Sequence, residues 1–299
     1  MPLESTASVA AVIVTHQRVE LLRASLTQVV GQTRPVQWVI VVDNDADPAV
    51  AALLDELAGD RGVYLPSHTN LGGAGGFAYG FLHALALGAD AVWCADDDGR
   101  PGDLDTLEVL LAEAVARSLD EISPLVCSID DPSRTAFPVR QGVSWLRSVD
   151  EFEGDFVESY ASLFNGALIS TKAMEVIGVP DYRLFIRGDE VDYHNRMARA
   201  KLRYGTTLKA RYLHPEGVSE FHPIMGGRAH AQYPEGEFKR FFTYRNRGFV
   251  LSQPGYRTMI FQEIARFGWF FLLQRRSPRE FFRWLSLLRR GRNQDFRRP

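Results

Sequence analysis

Short apolar runs that end in polar residues, with a helical stretch after each, constrain this chain more than any other feature. Val9 to Thr15 is rich in β-branched residues and turns polar only at its end, as a strand buried on both faces of a parallel sheet does. Glu20 to Val30 follows with Leu21, Leu22, Leu26 and Val29 at helical spacing, stopped by Gly31 and Pro35. Trp38 to Val42 repeats the strand pattern and ends in Asp43-Asn44-Asp45. Val50 to Leu57 reads as a short helix and Val63 to Leu65 as a third strand. After Asn70, Gly72-Gly73-Ala74-Gly75-Gly76 predicts a loop that opens a helix from Phe77 to Leu87, and the apolar run Ala91 to Ala95 comes next. Such alternation over the first ~100 residues requires a parallel sheet with right-handed crossovers and helices on both faces.

Downstream, the pattern predicts a helix over 104–117, strands over 125–129, 167–170 and 207–213, and a helix over 190–201. Amphipathic helical sequence runs over 261–288, broken near Ser277-Pro278. The expected division is one α/β domain over residues 1–250 with a helical appendage over 251–299.

The run at Ala91–Ala95 ends in Asp96-Asp97-Asp98. Acidic residues are depleted in strands, and three adjacent carboxylates raise one another's pKa unless a cation neutralises them. Hard divalent cations take oxygen ligands, and Mg²⁺ or Mn²⁺ is commonly held by one or two carboxylates plus substrate phosphates. Open α/β sheets place their ligands at the carboxyl ends of strands. The triplet therefore reads as a metal–diphosphate site, or more plainly as an Asp-rich turn, since Asp98-Gly99 and Pro101 are good turn chemistry.

Other candidates sit at equivalent places. Thr15-His16 and Asp43-Asn44 end the first two strands and face the same crevice, where a carboxylate can accept from a base or ribose. Gly73-Ala74-Gly75-Gly76-Phe77-Ala78 satisfies G-x-G-x-x-A, but it follows the third strand rather than the first, which argues against a dinucleotide site. Glycines at a helix start still let backbone N–H groups approach a ligand. Gly188-Asp189-Glu190-Val191-Asp192 opens a helix: acidic residues there suit the helix dipole, and Asp192 stands four residues before Arg196. Glu190 is the candidate base. His214 ends a strand, and a neutral imidazole can complete a Mn²⁺ site.

Composition excludes several classes. Hydrophobic content of 45% and charged content of 24% over 299 residues are those of a soluble globular protein. Cys94 and Cys127, the two cysteines, form neither a metal spacing nor a disulfide framework and suit a reducing, cytosolic compartment. Met1 to Ser8 has no apolar core of a signal peptide, and no window reaches the roughly 18 apolar residues of a spanning helix. The net charge of -3 hides an asymmetry: from Arg275 onward nine arginines face Glu280 and Asp295, so that tail carries about +7 and the remainder about -10. Phe267 to Leu273, with Phe281, Phe282, Trp284, Leu285 and Leu288, supplies apolar anchors among those arginines. The segment is thus expected either to lie on an anionic membrane surface or to pack on the domain. No nucleic-acid-binding motif accompanies the basic tail, so no nucleic acid partner is expected.

Val41-Val42-Asp43-Asn44, Asn70-Leu71-Gly72-Gly73-Ala74-Gly75-Gly76, Ala95-Asp96-Asp97-Asp98 and Gly188-Asp189-Glu190-Val191-Asp192 occur in this order. With this ordered set the chain resembles the family 2 glycosyltransferases of the GT-A fold over about residues 8–215. Phe164-Asn165-Gly166-Ala167, the segment 184–190, His230 to Pro234 and Phe241 to Gly248 extend the likeness to the actinobacterial galactofuranosyltransferases that build cell-wall galactan, closest to the one that starts it. The resemblance implies an α/β fold with a Rossmann-like, mostly parallel sheet. It implies inverting transfer from UDP-galactofuranose to a polyprenyl-diphosphate-linked rhamnosyl-N-acetylglucosamine, with Mn²⁺ or Mg²⁺ as cofactor. Asp96 and Asp98 match the D-x-D motif that meets ribose and metal-bound diphosphate. His214 falls at a metal-ligand histidine of the polymerising relative. Glu190 falls at the base position, where many members carry Asp; Asp189 is the lesser candidate.

Thr15, His16, Asp43, Asn70, Gly73, Asp96 and Asp97 are expected around the nucleotide sugar, and Asn165, Arg187 and Asp192 around the acceptor. The expected location is cytoplasmic, peripheral on the inner face of the plasma membrane, and assembly into a homo-oligomer stays open. A rhamnosyltransferase using dTDP-rhamnose, or a silent module of the same fold docking membrane partners, are the alternative readings.

Overall fold

The structure is a computed structural model that describes residues 3–141, 144–217 and 220–299; Met1 and Pro2, which head the polar N-terminal stretch, lie outside it. The chain forms two compact units. The first runs to Tyr182 and resumes over Tyr193–Gly217; the second holds Arg183–Asp192 and the chain after Gly217.

In the first unit, β1 (Val9–Thr15), β2 (Trp38–Asp43), β3 (Gly62–Pro66) and β4 (Ala91–Asp96) pair in parallel in the order β3-β2-β1-β4. Seven consecutive buried residues in β1 account for its unbroken apolar run, since both faces are covered. Register sets the crevice: Thr15 pairs with Asp43 and Val14 with Asp96, so the three strands end level. Beyond β4 the sheet turns mixed. β5 (Glu121–Ser128) and β6 (Leu168–Ser170) follow, β6 lying antiparallel between β4 and β5. β7 (Tyr204–His214) runs parallel to β5, with a register shift between Thr207 and Arg211.

Helices α1 (Val19–Val30), α2 (Pro48–Ala58), α3 (Gly72–Ala86) and α4 (Thr106–Arg117) connect these strands. α3 departs from expectation, because the helix starts at Gly72 and the glycines form its first turns rather than a loop. Their lack of side chains is a packing requirement. A Cβ at Gly76 would sit 2.5 Å from Val14 Cγ1, and one at Gly80 2.3 Å from Val12 Cγ1. Glycine thus brings α3 against β1 at a cost in helix propensity of roughly 1 kcal/mol per residue. α5 (Thr171–Ile177) closes the unit's segment before Tyr182.

α6 (Asp189–Arg199) spans the boundary in sequence, its first turn belonging to the second unit. The second unit also holds a hairpin, β8 (Phe221–Ile224) with β9 (Ala229–Gln232), and α7 (Glu237–Ser252), α8 (Met259–Gly268) and α9 (Pro278–Arg292). A π-helical stretch over Trp269–Gln274 leads from α8 toward the break at Ser277-Pro278. α7 and α9 cross closely through two glycines. A Cβ at Gly248 would lie 2.0 Å from Leu288 O, and one at Gly291 1.7 Å from Arg245 O. The aromatic anchors, expected either at a membrane surface or packed on the domain, largely build this unit's core: Phe267, Phe270, Phe271, Trp284 and Leu288 are buried, Trp284 stacking on Phe267 at 4.8 Å. Buried aromatic rings of this size contribute much of a core's apolar area.

Candidate active site

β4 carries the triplet to the crevice, and the chain just beyond it runs back along β7. The two-residue strand Arg100–Pro101 pairs antiparallel with β7, Leu213 opposite Arg100, so the triplet's turn lies beside His214. Gly99 permits this approach, since a Cβ there would stand 2.4 Å from the Tyr212 ring. The Asp96 N–H donates to Tyr212 Oη at 3.2 Å, tying the strand end to β7.

The strand ends at Asp96 and Asp97-Asp98 form a turn, and the triplet's side chains divide between two sides. Asp96, Asp98 and His214 offer ligand atoms that all lie within 4.8 Å of one another, with His214 Nε2 3.3 Å from Asp98 Oδ1. Asp97 turns to β1: its Oδ2 accepts from Thr15 Oγ1 at 2.9 Å and from the His16 N–H at 3.4 Å. Arg18 bridges both sides, with Nη1 3.2 Å from Asp97 Oδ1 and 2.8 Å from Asp98 Oδ2.

Electrostatics follow from this packing. Burial first, then the Asp98 charge, pushes Asp96 above the usual carboxylate range. Burial also raises Asp97, against the opposing hydrogen bond from Thr15 and the Arg18 charge. The His214 hydrogen bond holds Asp98 low. Burial disfavours the charged imidazole, but the Asp98 and Pro215 hydrogen bonds and the Asp98 and Asp96 charges together outweigh it and keep His214 above its usual value. Two carboxylates beside an imidazole are a ligand set that a divalent cation can use. His214 Nδ1 lies 2.7 Å from the Pro215 carbonyl oxygen, which can only accept, so Nδ1 carries hydrogen and Nε2 is left for a metal. An outer hydrogen bond of this kind orients ligating histidines generally. The set therefore fits a divalent cation.

The remaining expected residues fall into different settings. Asp43 is fully buried; its Oδ1 accepts from the Asp45 N–H, and its Oδ2 accepts from the Asp47 N–H at 2.7 Å and from Tyr64 Oη at 2.9 Å. One acceptor site is left on Oδ1, but a nucleotide contact there would require the buried carboxylate to become accessible. Asn70 Oδ1 accepts from the Gly72 N–H, while Asn44 Oδ1 accepts from the Leu71 N–H, so two amides cap α3. Gly73 leaves open space over its Cα, keeping the helix start approachable. Asn165 keeps a buried Oδ1 without a protein hydrogen-bond partner.

In the second unit, Glu190 is exposed in the first turn of α6 and its carboxylate accepts from the Gly188 N–H at 3.1 Å; Asp189 and Asp192 are buried. Arg187 makes a two-pronged pair with Glu220, at 2.9 and 2.7 Å. Arg18, Tyr212 and Glu220 were not among the expected site residues. Only Tyr212, two positions before His214, carried a signal in its spacing.

A mixed α/β sheet with ligating groups at its strand ends is the GT-A arrangement, and solved structures bear this out. The crystal structure of GalNAc-T7 with UDP, GalNAc and Mn²⁺ matches with a TM-score of 0.62 at 12% identity, over 87% of this chain and 51% of that one. The mannosyltransferase PcManGT from Pyrobaculum calidifontis, in complex with GDP-Man and Mn²⁺, matches at 0.52 and 13% identity, over 97% and 71%. Residues 10–166, just over half the chain, match glycosyl transferase family 2. Galactofuranosyltransferase GlfT1 of Mycolicibacterium smegmatis is 54% identical over 300 residues, 98% of this chain and 99% of that protein. GlfT1 of Mycobacterium tuberculosis is 54% identical over 302 residues, 98% of each. The chain belongs to glycosyltransferase family 2 and is a sugar-transferring enzyme.

Proposed function

We propose that the enzyme moves galactofuranose from UDP-galactofuranose to a polyprenyl-diphosphate-linked rhamnosyl-N-acetylglucosamine, with inversion, and so starts a cell-wall galactan. The observation that carries this reading is the 54% identity, over nearly the whole of both chains, to relatives named galactofuranosyltransferase. The metal-ligating cluster adds the chemistry. Asp96, Asp98 and His214 would hold Mn²⁺ or Mg²⁺, which offsets charge developing on the leaving diphosphate.

Asp96 and the start of α3 at Gly73 bind the nucleotide sugar, with Thr15, His16 and Asp97 shaping the floor below it. Glu190 takes the proton from the acceptor hydroxyl, whose oxygen attacks the anomeric carbon. The bond from that carbon to the diphosphate breaks, UDP leaves with the electron pair, and the carbon passes through oxocarbenium character. Asn165, Arg187 and Asp192 serve the acceptor, Arg187 from its pair with Glu220. Donor choice is tested by offering UDP-galactofuranose and dTDP-rhamnose together with the lipid acceptor. A product heavier by one or more hexoses supports the reading; one heavier by a deoxyhexose would replace it with rhamnosyl transfer.

Among the described residues no helix is long and apolar enough to cross a membrane, and a lipid-linked acceptor must be met at a surface. Phe261 (75% exposed), Leu273 (58%) and Phe282 (65%) stay outside the core of the second unit, which also exposes Arg276, Arg279 and Arg289. These residues dock on the anionic inner face of the plasma membrane, where each basic residue adds about 1 kcal/mol. In flotation assays, phosphatidylglycerol vesicles should retain the enzyme in a salt-sensitive way, and a Phe261→Ser, Leu273→Ser variant should be lost from them. Equal recovery with neutral vesicles, or no effect of the double substitution, would contradict the docking.

A further inference from the structure

The turn that delivers Glu190 is held in an unfavourable backbone shape from within the second unit. Phe185 (φ 69°) and Arg187 (φ 68°) both adopt the left-handed region, followed by Gly188 at 84°. Non-glycine residues persist there only where surroundings over-determine them. Those surroundings are Arg245 and Asn246 of α7, which are 0% and 1% exposed. Asn246 Nδ2 contacts three carbonyl oxygens of the turn: Leu184 at 2.8 Å, Ile186 at 3.0 Å and Arg187 at 2.7 Å. Arg245 Nη2 donates to the carbonyls of Arg183 and Leu184, each at 3.1 Å, and Arg245 Nε donates to Asn246 Oδ1 at 2.9 Å, fixing the amide's orientation.

The chain beyond α9 completes the clamp. Phe296 O accepts from Arg245 Nη1 at 3.0 Å. The Arg183 guanidinium lies 4.5 Å from the centre of the Phe296 ring, and that of Arg298 4.2 Å from the centre of the Phe185 ring. The close crossing at Gly248 and Gly291 brings α9, and hence this tail, against the α7 turn that bears Arg245.

The geometry points to Arg245 and Asn246, backed by Phe296 and Arg298, as positioning residues that set the place of the Glu190 carboxylate. The inference rests on Glu190 being the base, as proposed above. A base displaced by about 1 Å can cost on the order of 10²-fold, so the clamp governs turnover rather than donor binding.

Three variants test it: Asn246→Asp, which turns a donor into an acceptor facing three carbonyls; Arg298→Ala, a surface change that leaves α7 intact; and a chain ending at Asp295. Transfer rate, acceptor KM, Mn²⁺-dependent UDP affinity and amide exchange over 184–190 are read for each. Asn246→Asp is expected to lower kcat roughly 10- to 100-fold, the other two less, with UDP affinity unchanged and exchange over 184–190 accelerated. Should Asn246→Asp fail to fold, Arg298→Ala and the shortened chain carry the test alone. Unaltered exchange in those variants would overturn the clamp. Accelerated exchange with an unaltered kcat would overturn its positioning role. Failure of the base assignment shows separately, as full activity in Glu190→Gln.

Discussion

Glu190→Gln should lose about 10²–10⁴-fold in transfer rate, the contribution typical of a positioned general base, and keep its Mn²⁺-dependent UDP affinity. The substitution is nearly isosteric, and Glu190 is exposed on the first turn of α6, where its carboxylate accepts from the Gly188 N–H. A glutamine carbonyl oxygen can accept that same bond, so the fold has no reason to change. What the amide cannot do is take a proton from the acceptor hydroxyl. Asp189 is the instructive comparison: it is buried at 6% exposure, so Asp189→Asn should disturb stability more than the proton transfer itself. The measurement is single-turnover transfer beside a UDP titration. A full rate in Glu190→Gln would remove Glu190 from the mechanism and bring Asp189 forward.

Asp98→Asn and His214→Ala should each weaken metal-dependent UDP binding by at least ~10- to 100-fold, the range already lost when mere supporting partners of a ligand are removed. The cluster offers one imidazole and two carboxylates, and losing either kind of ligand leaves a two-point site. pH dependence follows with a definite sign. His214 lies above its usual value because hydrogen bonds to Asp98 and Pro215 and the nearby carboxylate charges together outweigh burial, and Asp96 lies above its usual value through burial and the Asp98 charge. Both must shed protons to ligate, so metal affinity falls as pH drops below neutral and recovers as it rises. His214→Ala removes one of these protons and flattens the dependence, which a Mn²⁺ titration at several pH values reads directly. Undiminished metal affinity in both variants would place the cation elsewhere.

Much of this site was legible in the amino-acid sequence alone. Buried apolar runs marked β1, β2 and β4, and acidic residues where a buried strand must stop marked the crevice, since nothing but a ligand or a turn explains them there. His214 stood at a strand end for the same reason. Other features depend on partners that spacing does not reveal. An arginine in the loop after β1 carries no periodic signal, yet Arg18 reaches two members of the triplet some 80 positions away. The glycines of α3 read as a loop because glycine is a poor helix former; Val12 and Val14 of β1 override that propensity by leaving no room for a Cβ. Trp284 and Leu288 sit on an amphipathic stripe that could face lipid or protein, and only α7 and the rings of Phe267 and Phe271 decide it. Arg245 and Asn246 grip a turn about 60 positions earlier in the chain, a contact that no local pattern encodes.

The most direct test is transfer from UDP-galactofuranose to a synthetic rhamnosyl-N-acetylglucosamine diphosphate lipid, run with Mn²⁺ and with chelator. A hexose-extended lipid is expected with Mn²⁺, and that product should be lost when the metal is removed. Equal product in the presence of chelator would contradict a cation held by Asp96, Asp98 and His214, and no extension under either condition would contradict the assigned donor and acceptor.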